Sequence, residues 1–208
     1  MSVDQAERAP LRRVAIVAAA REMIRADGLA SLSLRRLATQ LGVTAPALYA
    51  HVSDKRELLR AVAELEFEQL RNRFTAVVAT TALERIRAHC RAYIDHAREN
   101  PELFDVMFLF PPDLGPSDVP EGAVLPAATS VFAVALAAVE DAIAAGDIVS
   151  DDPLLVALAL WAASHGVATA LQLGLGLPAA FEEQLTSEVT DRLLRGWAPA
   201  PGGQRGVQ

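Results

Sequence analysis

The run SLSLRRLATQLGVTAPALYAHVSDKRELL, Ser31 to Leu59, constrains this chain more than any other stretch, because it sets two helical periods around one glycine. Ser33 is a residue type that caps the first N–H groups of a helix, and Leu34, Leu37, Ala38 and Leu41 then recur at helical spacing. Gly42 supplies the permissive backbone that ends such a helix, and Val43 is small enough to pack inside the corner. Thr44 is a second N-cap, and Pro46 stands in the following first turn, where no intrahelical N–H is missed. Leu48 and Val52 lie one turn apart and face back onto Leu37 and Leu41, which leaves Tyr49, Ala45 and Pro46 pointing outward. Helix, short glycine turn and short helix make the helix-turn-helix arrangement, whose second helix lies in the DNA major groove.

These residues resemble the N-terminal domain of the TetR family of transcriptional regulators. Gly42, Val43, Thr44, Tyr49, His51 and Lys55 match a signature of a glycine–valine turn, Ser or Thr, tyrosine, His-Phe and a lysine opening the next helix. Val52 departs from it: it stands where an aromatic is usual, keeping the core apolar but removing ring volume. The resemblance covers the first quarter to third of the chain. It implies an all-α regulator, a repressor by the family's majority habit, working as a homodimer on a palindromic double-stranded operator and released by a small-molecule effector.

Residue chemistry assigns the contacts. Thr44 can bond a base or a phosphate, Tyr49 can reach a phosphate or the sugar edge, and Ala45 and Pro46 offer apolar contact to thymine methyls. His51 and Lys55 are expected at phosphate, Lys55 helped by the positive end of its helix. Ser33, Arg35 and Arg36, at the start of the preceding helix, complete the expected DNA face. Charge agrees: the net −7 divides into +4 over residues 1–60 and −11 over the remainder, so the basic part coincides with the motif.

The rest of the chain reads as helix throughout, in a chain 52% hydrophobic and poor in aromatics. The first helix is expected from about Leu11 to Asp27, ended by Gly28; the fourth begins after Ser53 or Asp54 and runs to about Ala79. Thr81 and Glu84 form a capping box for a helix ending at Glu99, and Asn100-Pro101 caps a short helix ending near Phe110. A proline-rich loop, Pro111 to Gly122, leads to a helix over about Leu125–Ala145. Asp152-Pro153 opens the next, to Leu173, and the last runs from about Ala179 to Leu194. Three regions follow: a helix-turn-helix head, 1–55; a ligand-binding and dimerisation body, 56–197; and a disordered tail, 198–208.

The segment LLVALALWAASHGVATALQL is apolar enough to span a bilayer, but Ser164, His165, Gly166, Thr169 and Gln172 interrupt it and no basic residue flanks it. Burial between its own bundle and a second subunit accounts for it better. Trp161, His165 and Gly166 resemble a C-terminal body, named for those three residue types, found in a subset of TetR-like regulators. The family's pairing of its last two long helices implies a dimer interface at Trp161, Ala168, Leu171, Phe181, Leu185, Val189 and Leu193.

Tyr93, Phe104, Met107, Phe108, Phe110, Phe132 and Trp161, with His165 as an isolated polar group, are expected around a small-molecule pocket. No lysine or arginine lies between Arg98 and Arg192, so a neutral or cationic apolar effector is favoured over an anion. The chain is not expected to be an enzyme: it has no phosphate loop, nucleophile elbow or cysteine pair. His89 and His96 stand two helical turns apart, too far for one metal, and no metal or cofactor is implied. Cys90 alone cannot form an internal disulfide, and MSVDQAERAPLRR lacks a signal peptide's apolar core; a cytoplasmic protein is expected. Two other readings remain: a DNA-binding dimer with no small-molecule ligand, and a helical membrane-associated protein or enzyme with a chance motif.

Overall fold

The computed structural model describes residues 13–109 and 125–200, and among them every regular element is helical. The nine α-helices are α1 (Arg13–Asp27), α2 (Leu34–Gln40), α3 (Ala45–Tyr49), α4 (Lys55–Thr75), α5 (Ala82–Glu99), α6 (Pro101–Met107), α7 (Pro126–Ala144), α8 (Pro153–Gln172) and α9 (Ala179–Gly196). A 3-10 turn, Leu29–Ser31, which the periodicity does not announce, follows Gly28. The expected 111–122 loop, Phe110 and most of the expected tail lie outside the described residues.

Helix boundaries follow local hydrogen bonding. Ser33 Oγ accepts from the Arg36 N–H at 3.1 Å, and Thr44 Oγ1 from the Ala47 N–H at 3.4 Å. Between them Gly42 adopts φ 66°, a left-handed conformation that disfavours any residue with a Cβ. Asp54, not Ser53, caps α4, accepting from the Glu57 N–H at 2.8 Å, and Asp152 caps α8 from the Leu155 N–H at 3.0 Å. The Thr81–Glu84 capping box is complete. Asn100 is a correction: its side chain makes no cap hydrogen bond, and α6 starts on the preset backbone of Pro101. That helix is also shorter than expected, ending at Met107, and α4 stops at Thr75.

One apolar core runs from head to body. Ile16, Ile24, Leu37, Leu48 and Leu58 seal the three-helix head, and the same cluster continues through Phe67, Leu70, Tyr93 and Leu103. A second cluster around Ile86, Val139, Val156 and Leu194 closes the far end. Helix α4 packs on α1, α5, α6 and α7, so it belongs to both ends. Helix α9 lies antiparallel on α5, with Arg87–Asp191, Arg91–Glu183 and Arg98–Glu182 ion pairs along the seam. Helices α7 and α8 are each long and apolar enough to cross a membrane by length and composition, and both pack into the bundle.

Candidate functional site

The DNA-facing candidates lie on the surface of the head. Leu48 and Val52 are buried in the core of the head, which turns Tyr49 outward, 54% exposed. Thr44, Pro46, His51, Lys55, Ser33, Arg35 and Arg36 are exposed with it, and Ala45 is half-buried. Ser33 and Thr44 use their hydroxyls as helix caps, and Arg36 is paired with Asp27. The corner carrying His51 and Lys55 is fastened from below. Glu57 accepts from the Ser53 N–H at 2.6 Å and the Ser53 hydroxyl at 2.8 Å, and pairs with Arg13, which also donates to the His51 carbonyl at 3.2 Å. The Ser53 backbone bond, then its hydroxyl and Arg13, hold the Glu57 carboxyl below its ordinary range. The corner is therefore a fixed platform with a lysine at its tip.

In the body, α4, α5, α7 and α8 and the residue after α6 line a small apolar pocket, about 70 Å³ in cavity volume and partly open to the outside. Helix α4 contributes Phe67, Leu70 and Phe74; α5 contributes Ile86, His89, Cys90 and Tyr93. Phe108, then Phe132 and Val131 of α7, and Trp161, Leu160 and Ser164 of α8 close the other sides. Among the described residues no charged side chain is on this wall.

Of the expected pocket residues, Tyr93, Phe108, Phe132 and Trp161 are on the wall. Phe104 and Met107 are buried in the core behind it, Met107 with no exposure, and the Phe104 ring packs against Tyr93 and His165. His165 stands in a second layer: its ring packs against Phe104, Phe108 and Trp161, and its Nδ1 is hydrogen-bonded to the Tyr93 hydroxyl at 2.9 Å. Burial lowers the His165 pKa and raises that of Tyr93, so this pair is neutral near pH 7.

The α4 residues and His89 were not anticipated as pocket residues. Phe67, Leu70 and Phe74 recur at i, i+3 and i+7, the one signal available for them. His89 does not pair with His96 for a metal; among the described residues no group of three or more His, Cys, Asp and Glu could hold one. His89 stacks on Phe74, centroids 4.5 Å apart, with Nε2 3.2 Å from the Phe74 carbonyl oxygen. His96 instead faces Glu66 of α4, Nε2 to Oε2 3.5 Å, while Arg21 of α1 donates to Glu66 Oε1 at 2.5 Å.

The expected dimer residues divide. Ala168 is 0% exposed in this chain, so it belongs to the chain's own core and the interface assignment is corrected there. Trp161, Leu171, Leu185 and Val189 lean on the main core and Leu193 on the second, each half-buried, while Phe181 is exposed. On α8 the outward stripe is Leu155, Ala162, Gly166, Thr169 and Leu173.

Two family models match the chain: bacterial regulatory proteins of the tetR family, over residues 16–62, and the tetracyclin repressor-like C-terminal domain, over residues 86–195. A stretch of 54 residues is 48% identical to the class C tetracycline repressor protein of Escherichia coli, a match covering 26% of this chain and 25% of that protein. Only a quarter of that relative's length is thus spanned. A protein of unknown function from Rhodococcus sp. RHA1 superposes with TM-score 0.79 at 29% identity, over 94% of this chain and 100% of its own. BioQ, solved with its natural double-stranded DNA operator, shares the fold at TM-score 0.62 and 24% identity, over 89% of this chain and 99% of its own.

Proposed function

The chain belongs to the TetR family of transcriptional regulators, with a DNA-binding N-terminal domain, and from this premise we propose that it is an effector-responsive repressor acting as a homodimer on a palindromic operator. The proposed division is a DNA-binding head over residues 1–55, a ligand-binding and dimerisation body over 56–197, and a tail beyond; the proposed compartment is the cytoplasm.

One observation carries the reading. Helix α4 begins at Lys55, beside the exposed Thr44–Tyr49 face, and ends by placing Phe67, Leu70 and Phe74 in the pocket wall. Its 21 residues span about 30 Å as one rigid element. A guest that displaces its pocket end therefore moves the corner carrying Lys55. In a dimer, a shift of about one base-pair rise between the two heads prevents both from engaging their half-sites. BioQ's complex with its operator supports DNA as the partner of the equivalent face here.

DNA contacts are proposed for Tyr49, His51 and Lys55 at phosphate and for Thr44, Ala45 and Pro46 in the groove, with Ser33, Arg35 and Arg36 at the flanking backbone. For the dimer, the α8 stripe from Leu155 to Leu173 together with Phe181 fits better than the inward residues of α8 and α9, since Leu155, Leu173 and Phe181 are exposed apolar side chains. The uncharged pocket wall favours a neutral effector over a cationic one.

The test is a salt-dependent shift assay on DNA flanking the gene, repeated with candidate apolar ligands. A shifted band weakened by salt and released by a ligand supports the reading. A band that no pocket-binding ligand alters leaves only a dimeric DNA-binding protein.

A further inference from the structure

We propose that His89 is the polar anchor of the pocket, a hydrogen-bond acceptor selecting uncharged aromatic ligands that carry a hydroxyl or a similar single donor. The inference deepens the effector reading and rests on it for its biological meaning, though not for its chemistry.

The tautomer follows from the partner. A backbone carbonyl can only accept, so the His89 Nε2 at 3.2 Å from the Phe74 oxygen carries a proton. In a neutral imidazole, Nδ1 is then a bare lone pair. Burial holds the ring neutral against the opposing pull of the Phe74 carbonyl, and Arg85 adds a smaller push in the same direction as burial. His89 is 4% exposed, and its Nδ1 is buried with no hydrogen-bond partner. A buried acceptor left unpaired is costly, and native proteins seldom keep one without a use.

Other polar groups on the wall are engaged. The Ser164 hydroxyl donates to the Leu160 carbonyl at 2.8 Å, and the Tyr93 hydroxyl is bonded to His165 at 2.9 Å. Cys90 Sγ is buried beside the Ser164 and Thr190 hydroxyls. Among the described wall residues, His89 Nδ1 is the buried side-chain nitrogen or oxygen that lacks a partner. Among the described wall residues it has no carboxylate or cation beside it, so an ionic guest would shed its hydration without a counter-charge there. The surrounding rings of Phe74, Phe108, Phe132 and Trp161 offer flat contact to another ring. An apolar ring with one donor satisfies every feature of this wall.

The anchor also has a direction. A donor at Nδ1 polarises the imidazole and strengthens its Nε2–H bond to Phe74, in the last turn of α4. Occupancy is thereby passed to the connecting helix by a hydrogen bond as well as by packing.

Calorimetry on the full chain with three probes of one shape tests this: 1-naphthol, 1-methoxynaphthalene and 1-naphthoate. Naphthol is expected to bind about tenfold or more tightly than its methyl ether, which lacks the donor, and naphthoate not measurably at neutral pH. His89→Phe should bind naphthol and the ether alike. Histidine nitrogen NMR on the unaltered chain supplies an independent readout if that variant misfolds: His89 should show a protonated Nε2 and a bare Nδ1 whose resonance moves with naphthol and not with the ether. Equal affinities in the unaltered chain, a preference that survives His89→Phe, no binding of either neutral probe, or a protonated Nδ1 would each overturn the anchor. Selective naphthol binding that leaves operator affinity unchanged supports the anchor and counts against the effector reading. Release of operator by naphthol and ether alike does the reverse.

Discussion

The His89 Nε2–H points at the Phe74 carbonyl oxygen across 3.2 Å while the two rings stack with 4° between their planes. One residue of the pocket wall is thus fastened, by hydrogen bond and by stacking, to the end of the helix that starts at Lys55. The same helix is tied to α1 midway by the Arg21–Glu66 ion pair, and the neutral His96 of α5 faces that carboxylate across 3.5 Å. Head and body are coupled through polar contacts as well as through the continuous core.

For the DNA face, Tyr49→Ala and Lys55→Ala are expected to weaken operator binding while leaving stability within about 0.5 kcal/mol, since both side chains are exposed. Loss of Lys55 should lower affinity on every sequence and reduce the salt slope by about one ion. Fluorescence anisotropy over a salt series reads both effects. Unchanged affinity and slope would remove these residues from the interface.

Gly166 offers a clean probe of the dimer. A Cβ built there meets nothing within 4 Å in the chain, so Gly166→Leu should leave the protomer folded and gain up to about 1 kcal/mol of helix propensity. If the outward α8 stripe faces a second copy, the added side chain disrupts close helix approach, and sedimentation should show a weakened dimer. A dimer of undiminished affinity would move the interface off α8.

Stability should depend on pH through His96. Burial, with Arg73 and Arg21 adding and Glu99 opposing, holds it down to about 4 from an ordinary 6.5. The unfolded chain then binds this proton more readily than the folded one, so the stability contribution is whole above pH 6.5 and drains as pH falls toward about 4. Glu66 works the other way: burial raises its pKa, partly offset by Arg21 and Arg73, so acid relieves its buried carboxylate. Urea unfolding across this range should show His96→Gln losing on the order of 1–3 kcal/mol less than the unaltered chain. Parallel pH curves for the two proteins would mean that His96 is not held neutral.

Most helix ends were legible because caps are local chemistry: Ser33, Thr44, Asp54, Thr81 with Glu84, and Asp152 act on N–H groups two or three residues away. Asn100 misled because the same residue type can leave its side chain unused when proline follows. Faces were harder. Helix α8 is apolar almost all round, so no period distinguishes inward Val156, Leu160, Val167 and Ala168 from outward Leu155, Ala162 and Leu173. The pocket was half legible: aromatic residues of α5, α7 and α8 drew attention, but the α4 wall and the tautomer of His89 depend on where distant helices cross.

Phe108 and Trp161 are half-buried on the pocket wall and far along the chain from the DNA face. Phe108→Ala or Trp161→Ala should blunt release by a pocket ligand while leaving ligand-free operator binding largely intact. Anisotropy with and without ligand separates the two effects, and a loss of ligand-free binding would show the wall to be structural support for the head.

The most direct measurement of coupling is reciprocal calorimetry: 1-naphthol titrated into the protein alone and into its operator complex, and operator titrated with and without saturating naphthol. If α4 links the two sites, each partner lowers the other's affinity by the same factor, on the order of 5–150-fold. Identical naphthol affinity with and without operator would contradict the linkage and leave the body a dimerisation platform whose pocket is unconnected to DNA.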